Sequence, residues 1–168
     1  MRYCLGMKRI LVAGIGNIFF GDDAFGCEVV AELTRRWLPE IVTVRDFGIR
    51  GYDLAYAMMD GYDATILIDA APRGEKPGTV YTLELDAGRT AIPEGEIADG
   101  HNLTPLRVLQ LVRSLGGAVN NLYLVGCEPA RIESEAGEMG LSEQVRDAVQ
   151  PAATLVEDLV TDLLRTDR

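Results

Sequence analysis

Two carboxylates and one imidazole, Asp23, Asp69 and His101, are the residues whose types and spacing could do chemistry together. Asp23 follows the glycine-rich turn Gly14-Ile15-Gly16-Asn17 and the stretch Ile18-Phe19-Phe20-Gly21-Asp22. Asp69 closes the apolar run Ile66-Leu67-Ile68. His101 stands just ahead of Thr104-Pro105, a helix start with proline at its first position. A helix N-terminus disfavours imidazolium, which keeps such a ring neutral and able to bind a metal. Two carboxylates offset the charge of one divalent cation, and three protein ligands leave positions open for water or substrate. Oxygen and nitrogen donors without thiolate suit zinc, nickel, cobalt or manganese. Plainer readings stand beside this one. Asp22 can be a helix N-cap with Asp23 in the first turn, Asp69 a turn residue before Ala70-Ala71-Pro72, and His101 a surface histidine.

Other chemistries are narrowed by what the chain lacks. His101 is its one histidine, which excludes sites that need two imidazoles. The third glycine of a dinucleotide turn is replaced by Phe19, and Asp22 and Asp23 would repel a phosphate there. No Gly-Lys-Ser/Thr and no G-x-S-x-G is present. Three cysteines, Cys4, Cys27 and Cys127, without C-x-x-C spacing argue against a disulfide scaffold, a zinc ribbon or an iron–sulfur site. Cys27 and Cys127 read as packed side chains, and a reducing cytoplasm fits. A net charge of −10 argues against nucleic acid or an anionic membrane as partner. No apolar run approaches the ~20 residues of a membrane span. No secretion signal is read, and Met7 could be the start, leaving residues 1–6 as an optional extension.

The elements that must position these residues alternate along 168 residues, enough for one domain. Residues 8–13 read as a buried strand ending at Gly14, and residues 24–37 as a helix with Phe25, Val29, Leu33 and Trp37 on one face. A strand at 41–46 leads into the loop 47–51, which carries Gly48 and Arg50 after Asp46. A helix at 52–60 and a strand at 64–69 follow. Residues 79–85 alternate imperfectly and read as an edge strand, with an antiparallel sense open to it. Residues 86–102 have no period, and a loop that long is commonly functional. A helix to Leu115, a strand at 122–125 and a last helix from Ser142 complete the chain, the last one kinked at Pro151. The order predicts a three-layer α/β/α domain, with a mostly parallel five-stranded sheet and helices on both faces. Ligands in such folds bind beyond the carboxyl ends of the strands, where Asp23, Asp46, Asp69 and Glu128 would gather with His101.

Gly14-Ile15-Gly16-Asn17, Asp22-Asp23-Ala24-Phe25-Gly26, Asp46-Phe47-Gly48, Ile68-Asp69-Ala70 and His101 before a helix resemble the nickel–iron hydrogenase maturation endopeptidases. Val125-Gly126-Cys127-Glu128-Pro129 and Gly140-Leu141-Ser142 are similar to the same family, and the likeness runs from Lys8 to Leu163. The resemblance implies a peptidase that removes a short C-terminal extension from a hydrogenase large-subunit precursor. It implies that nickel carried by the precursor is sensed through Asp23, Asp69 and His101, which are also the catalytic candidates. Gly14, Gly16 and Asn17 of the first turn, with Asp46, Gly48 and Arg50 of the second, would position the site and the substrate tail. The second loop departs from the family's frequent Gly-Gly-Thr, reading Phe47-Gly48-Ile49-Arg50, with a cation where a hydroxyl is usual. A working monomer docking on a large precursor is the simplest assembly.

Overall fold

The computed structural model describes residues 8–88, 103–131 and 139–165. The suggested extension at 1–6, His101 and most of the long loop at 86–102 lie outside the described residues.

Five strands form one sheet: β1 (Ile10–Ile15), β2 (Val42–Gly48), β3 (Ala64–Ala70), β4 (Val80–Leu85) and β5 (Asn121–Cys127), in the order β2-β1-β3-β5-β4. β1, β2, β3 and β5 run parallel, and β4 pairs antiparallel with β5 at the edge, as its alternating sequence suggests. β1 is buried along its whole length because both of its faces are covered, which explains its unbroken apolar run. It continues through Gly14 to Ile15, beyond the end read from the sequence. β2 likewise extends through Phe47 and Gly48, so part of the expected loop is strand, paired across a shift in register between Gly14 and Ile15.

The helices are α1 (Phe25–Leu33), α2 (Gly51–Met58), α3 (Pro105–Ser114), α4 (Glu143–Asp147) and α5 (Val149–Arg165). One core lies on the α1/α5 face, where Val12, Ile66, Ile68 and Val125 meet Phe25, Val30, Val156 and Val160. The other lies on the α2/α3 face, where Leu11, Ile15, Leu67 and Leu124 meet Leu54, Met58, Val108 and Val112. α3 starts as expected: the Thr104 side chain accepts the Arg107 amide, and Pro105 is the first helical residue. Gly116, at φ +76°, follows its end.

Two expectations about the helices change. α1 ends at Leu33, and Trp37 is 83% exposed instead of buried. The Arg35 and Arg36 amides bond three residues back, to Glu32 and Leu33, so the chain leaves the α-helical period before Trp37. Arg36 holds that turn to α5 through Glu157 at 2.6 Å and Gln150 at 2.5 Å. The break before α5 falls at Ala148, three residues ahead of Pro151. Proline cannot bond the carbonyl four residues back and clashes with it, so the distortion appears at Asp147–Ala148 and not at Pro151 itself.

Candidate functional site

The sheet order places a switch point between β1 and β3. From β1 the chain steps to β2 on one side, then returns to β3 on the other. Open α/β sheets form their ligand crevice at such a point, beyond the carboxyl ends of the strands. Asp23 sits on the turn after β1, and Asp69 is near the end of β3, with Gly14 and Ile68 paired between them.

Glycine brings Asp23 to that edge. Gly16 adopts φ +132°, and a Cβ there would stand 1.8 Å from the Asp23 carbonyl oxygen. Gly26 does the same for α1: a Cβ would meet the Ile68 and Ile15 carbonyl oxygens at 2.2 and 2.3 Å. A Cβ on Gly14 would meet the Gly26 carbonyl at 2.4 Å. The helix start therefore rides directly on the strand ends, which is possible only where side chains are absent. The Asp23 carboxylate then accepts the Asn17 amide at 2.6 Å. Asn17 also accepts the Phe19 amide through its own side chain, fixing the turn.

Asp69 is 4% exposed. Its burial, and next the charge of Asp23, hold its carboxyl well above the usual carboxylate range, with the Ala70 amide pulling the other way. Burial also raises Asp23, against the Asn17 bond. Among the described residues no lysine or arginine bonds either carboxylate. Two desolvated like charges without a basic partner form a place that favours a cation or a shared proton. No group of three metal-ligating side chains occurs among the described residues, and His101, the expected third member, is outside them.

The remaining candidates surround this pair. The Gly16 amide donates to the Gly48 carbonyl at 3.0 Å, tying the first turn to the second. Asp46 accepts the Gly48 amide at 2.8 Å, with Gly48 at φ +55°. Arg50 donates to the Phe47 carbonyl at 3.1 Å and to the Asp46 carbonyl, so its donors brace its own loop. Cys27 donates from Sγ to the Gly16 carbonyl at 3.5 Å. Burial first, then the Asp46 charge and hydrogen bond, push its thiol up to about 12, as suits a packed side chain.

Asp22 is not the N-cap of a helix. Its side chain, 1% exposed, accepts the Ala130, Arg131 and Ser142 amides at 2.8, 3.0 and 2.6 Å and the Ser142 hydroxyl at 3.0 Å. It pins the chain after β5 to the start of α4. Phe20, Asp22, Arg131, Met139 and Ser142 line a cleft of about 440 Å³ there, which Asp23 and Asp69 do not line. Sequence reasoning also missed the anchoring role of Glu128, which is buried and accepts the Arg73 amide at 2.6 Å. The partners of Asp22 and Glu128 are too distant in sequence to leave a local signal.

Residues 27–159 match the model of the HycI hydrogenase maturation protease family. The chain belongs to that family. The hydrogenase 2 maturation protease of Escherichia coli is 34% identical over 146 residues, covering 86% of this chain and 85% of the relative. A hydrogenase expression/formation protein, HupD, of Bradyrhizobium diazoefficiens is 33% identical over 152 residues, covering 88% and 76%. The solved hydrogenase maturating endopeptidase HybD of E. coli superposes with a TM-score of 0.72 at 28% identity, covering 92% of this chain and 93% of that one. This hydrogenase maturation protease is therefore a peptidase. Among its described residues no helix is long and apolar enough to cross a membrane.

Proposed function

We propose that this protease removes the C-terminal extension of a nickel-loaded nickel–iron hydrogenase large-subunit precursor in the cytoplasm, acting as a monomer. Nickel is part of the substrate, and Asp23, Asp69 and His101 are the residues that meet it. The observation that carries the reading is the pairing of buried Asp69 with Asp23 at the switch point, without a basic side chain bonded to either among the described residues. A cation borne by the precursor would supply the missing positive charge. Tail hydrolysis adds a water oxygen to the scissile carbonyl carbon, breaks the C–N bond and moves a proton from that water to the departing amine. A carboxylate raised above its ordinary range is a better temporary holder of that proton, and Asp69 has this property. The metal's contribution is to polarise the carbonyl or the water and to fix the tail beside the carboxylates.

A folded protein substrate suits the surroundings. Ile18, Phe19 and Phe20 on the first turn and Ile49 and Tyr52 on the second are exposed around the same edge of the sheet. Exposed apolar groups gathered on one edge suit contact with another protein. The test is incubation with nickel-loaded precursor, followed by intact-mass measurement of both products. A shortened precursor and a released peptide are expected. A complex that persists with no mass change would instead make the chain a binding factor.

A further inference from the structure

We propose that Arg73 is the docking point for a carboxylate on the precursor's C-terminal extension, held in place by Tyr81 and Glu128. The inference rests on the reading of this chain as the protease of that extension. Asp69, Gly126 and Tyr81 form one row across β3, β5 and β4. Gly126 leaves the space opposite Asp69 open, and the Tyr81 ring fills it: a Cβ on Gly126 would meet a ring carbon at 2.4 Å. The Tyr81 hydroxyl donates to the Ala71 carbonyl at 2.6 Å, which fixes the ring. The Arg73 guanidinium lies over that ring, 4.4 Å from its centroid. At its backbone end, the Arg73 amide is held by buried Glu128. A cation is thus secured at both ends while its guanidinium edge has no hydrogen-bonding or ion-pair partner among the described residues.

Among the other described arginines, Arg9 also stacks on a ring, that of Tyr62, but its guanidinium bonds the Asp60 carbonyl and pairs with the Asp60 carboxylate at 3.7 Å. Arg50 spends its donors on the Phe47 and Asp46 carbonyls at the end of β2 and stands 4.0 Å from the Asp53 carboxylate. Arg45 stacks on Phe47 but stands on β2, two strands from Asp69. A guanidinium fixed by its face presents paired in-plane N–H groups, the geometry that a carboxylate fits bidentately. The chain as a whole carries a net charge of −10, so a stacked guanidinium stands out as a place for an anion. Strand spacing puts the Tyr81 backbone roughly 10 Å from that of Asp69. An extended peptide crossing that gap would place the carboxylate roughly three residues beyond the scissile bond.

The carboxylate can be an acidic side chain or the chain's own C-terminus, and the experiment separates them. Processing rates are measured with Arg73→Gln and Arg73→Lys, on precursors carrying either amide replacements of the extension's acidic side chains or a C-terminal amide. Binding of the extension peptide is measured alongside by fluorescence anisotropy at two salt concentrations. Arg73→Gln should raise KM about twofold to fivefold with kcat unchanged, and weaken peptide binding equally, the range of an exposed ion pair with good geometry. Arg73→Lys should recover part of the loss. Only one of the two neutralised substrates should be impaired with the wild-type enzyme, and it should show no further loss with Arg73→Gln. An unchanged KM and peptide affinity in Arg73→Gln, or full additivity with both neutralised substrates, overturns the proposal while leaving the protease reading intact. If the wild-type enzyme cleaves nothing, the protease reading fails, and the peptide-binding arm still decides whether Arg73 holds a carboxylate.

Discussion

Asp22 and Asp23 are adjacent in sequence, yet their replacement should have opposite consequences. Asp22→Ala removes the acceptor for three backbone amides and one hydroxyl at a position 1% exposed. A buried donor left without a partner costs about 1–3 kcal/mol. The cleft beside Asp22 lets water reach some of these groups, which places the total at the low end, about 3–5 kcal/mol. For a domain of this size each kcal/mol lowers Tm by about 2–4 °C, so a fall of roughly 10 °C is expected. Asp22→Asn keeps one acceptor oxygen but turns an NH₂ toward the same donors, and should lose about half as much. Asp23→Asn can still accept the single Asn17 amide and removes a like charge beside Asp69, so its stability should stay within about 1 kcal/mol of wild type while processing is lost. Thermal melts and precursor cleavage on the same preparations read both effects. An Asp22→Ala protein melting within 2 °C of wild type, or an Asp23→Asn protein that destabilises as far, would refute the division of roles.

Three further outcomes follow from the site. Gly26→Ala puts a Cβ against two strand carbonyls and should cost about 3 kcal/mol or prevent accumulation of folded protein, measured by urea denaturation. Asp69, whose folded-state pKa is raised, contributes stability that is full below the ordinary carboxylate value near 3.8 and is lost as pH rises through its folded value. The stability of Asp69→Asn relative to wild type should therefore grow with pH over that window in urea titrations, although the variant cannot process precursor. Cys27 and Cys127, both raised to about 12, should resist iodoacetamide at pH 8 in the folded protein and react once it is unfolded, as read by peptide mass mapping.

Much of the fold is legible in sequence because it follows from local period. β1, β3 and β5 are continuous apolar runs, as buried parallel strands must be, and β4 alternates as an edge strand does. Thr104-Pro105 marks a helix start that the side-chain bond to Arg107 completes. The parts that were illegible depend on distant contacts. Trp37 extends a helical period that the turn after Leu33 interrupts, and that turn is held by Glu157 and Gln150 more than a hundred residues away. Asp22 resembles a cap because Asp before a helix usually is one, whereas its partners lie 108–120 residues on. The position of Asp23 and Asp69 at one edge follows from the strand order, while the burial of Asp69 beside Asp23, with no basic side chain bonded to either among the described residues, emerges only in three dimensions. Arg50 reads from sequence as a candidate for positioning the substrate tail, and its bonds to the Phe47 and Asp46 carbonyls are not visible there.

The most direct test of the central claim is intact-mass analysis of a nickel-loaded large-subunit precursor after incubation with wild type, Asp23→Asn and Asp69→Asn. Wild type should shorten the precursor at its C-terminus, nickel-free precursor should stay whole, and both folded variants should leave the loaded precursor uncut. Normal cleavage by both variants, or equal cleavage with and without nickel, would contradict the assignment of these two carboxylates to a nickel-bearing substrate.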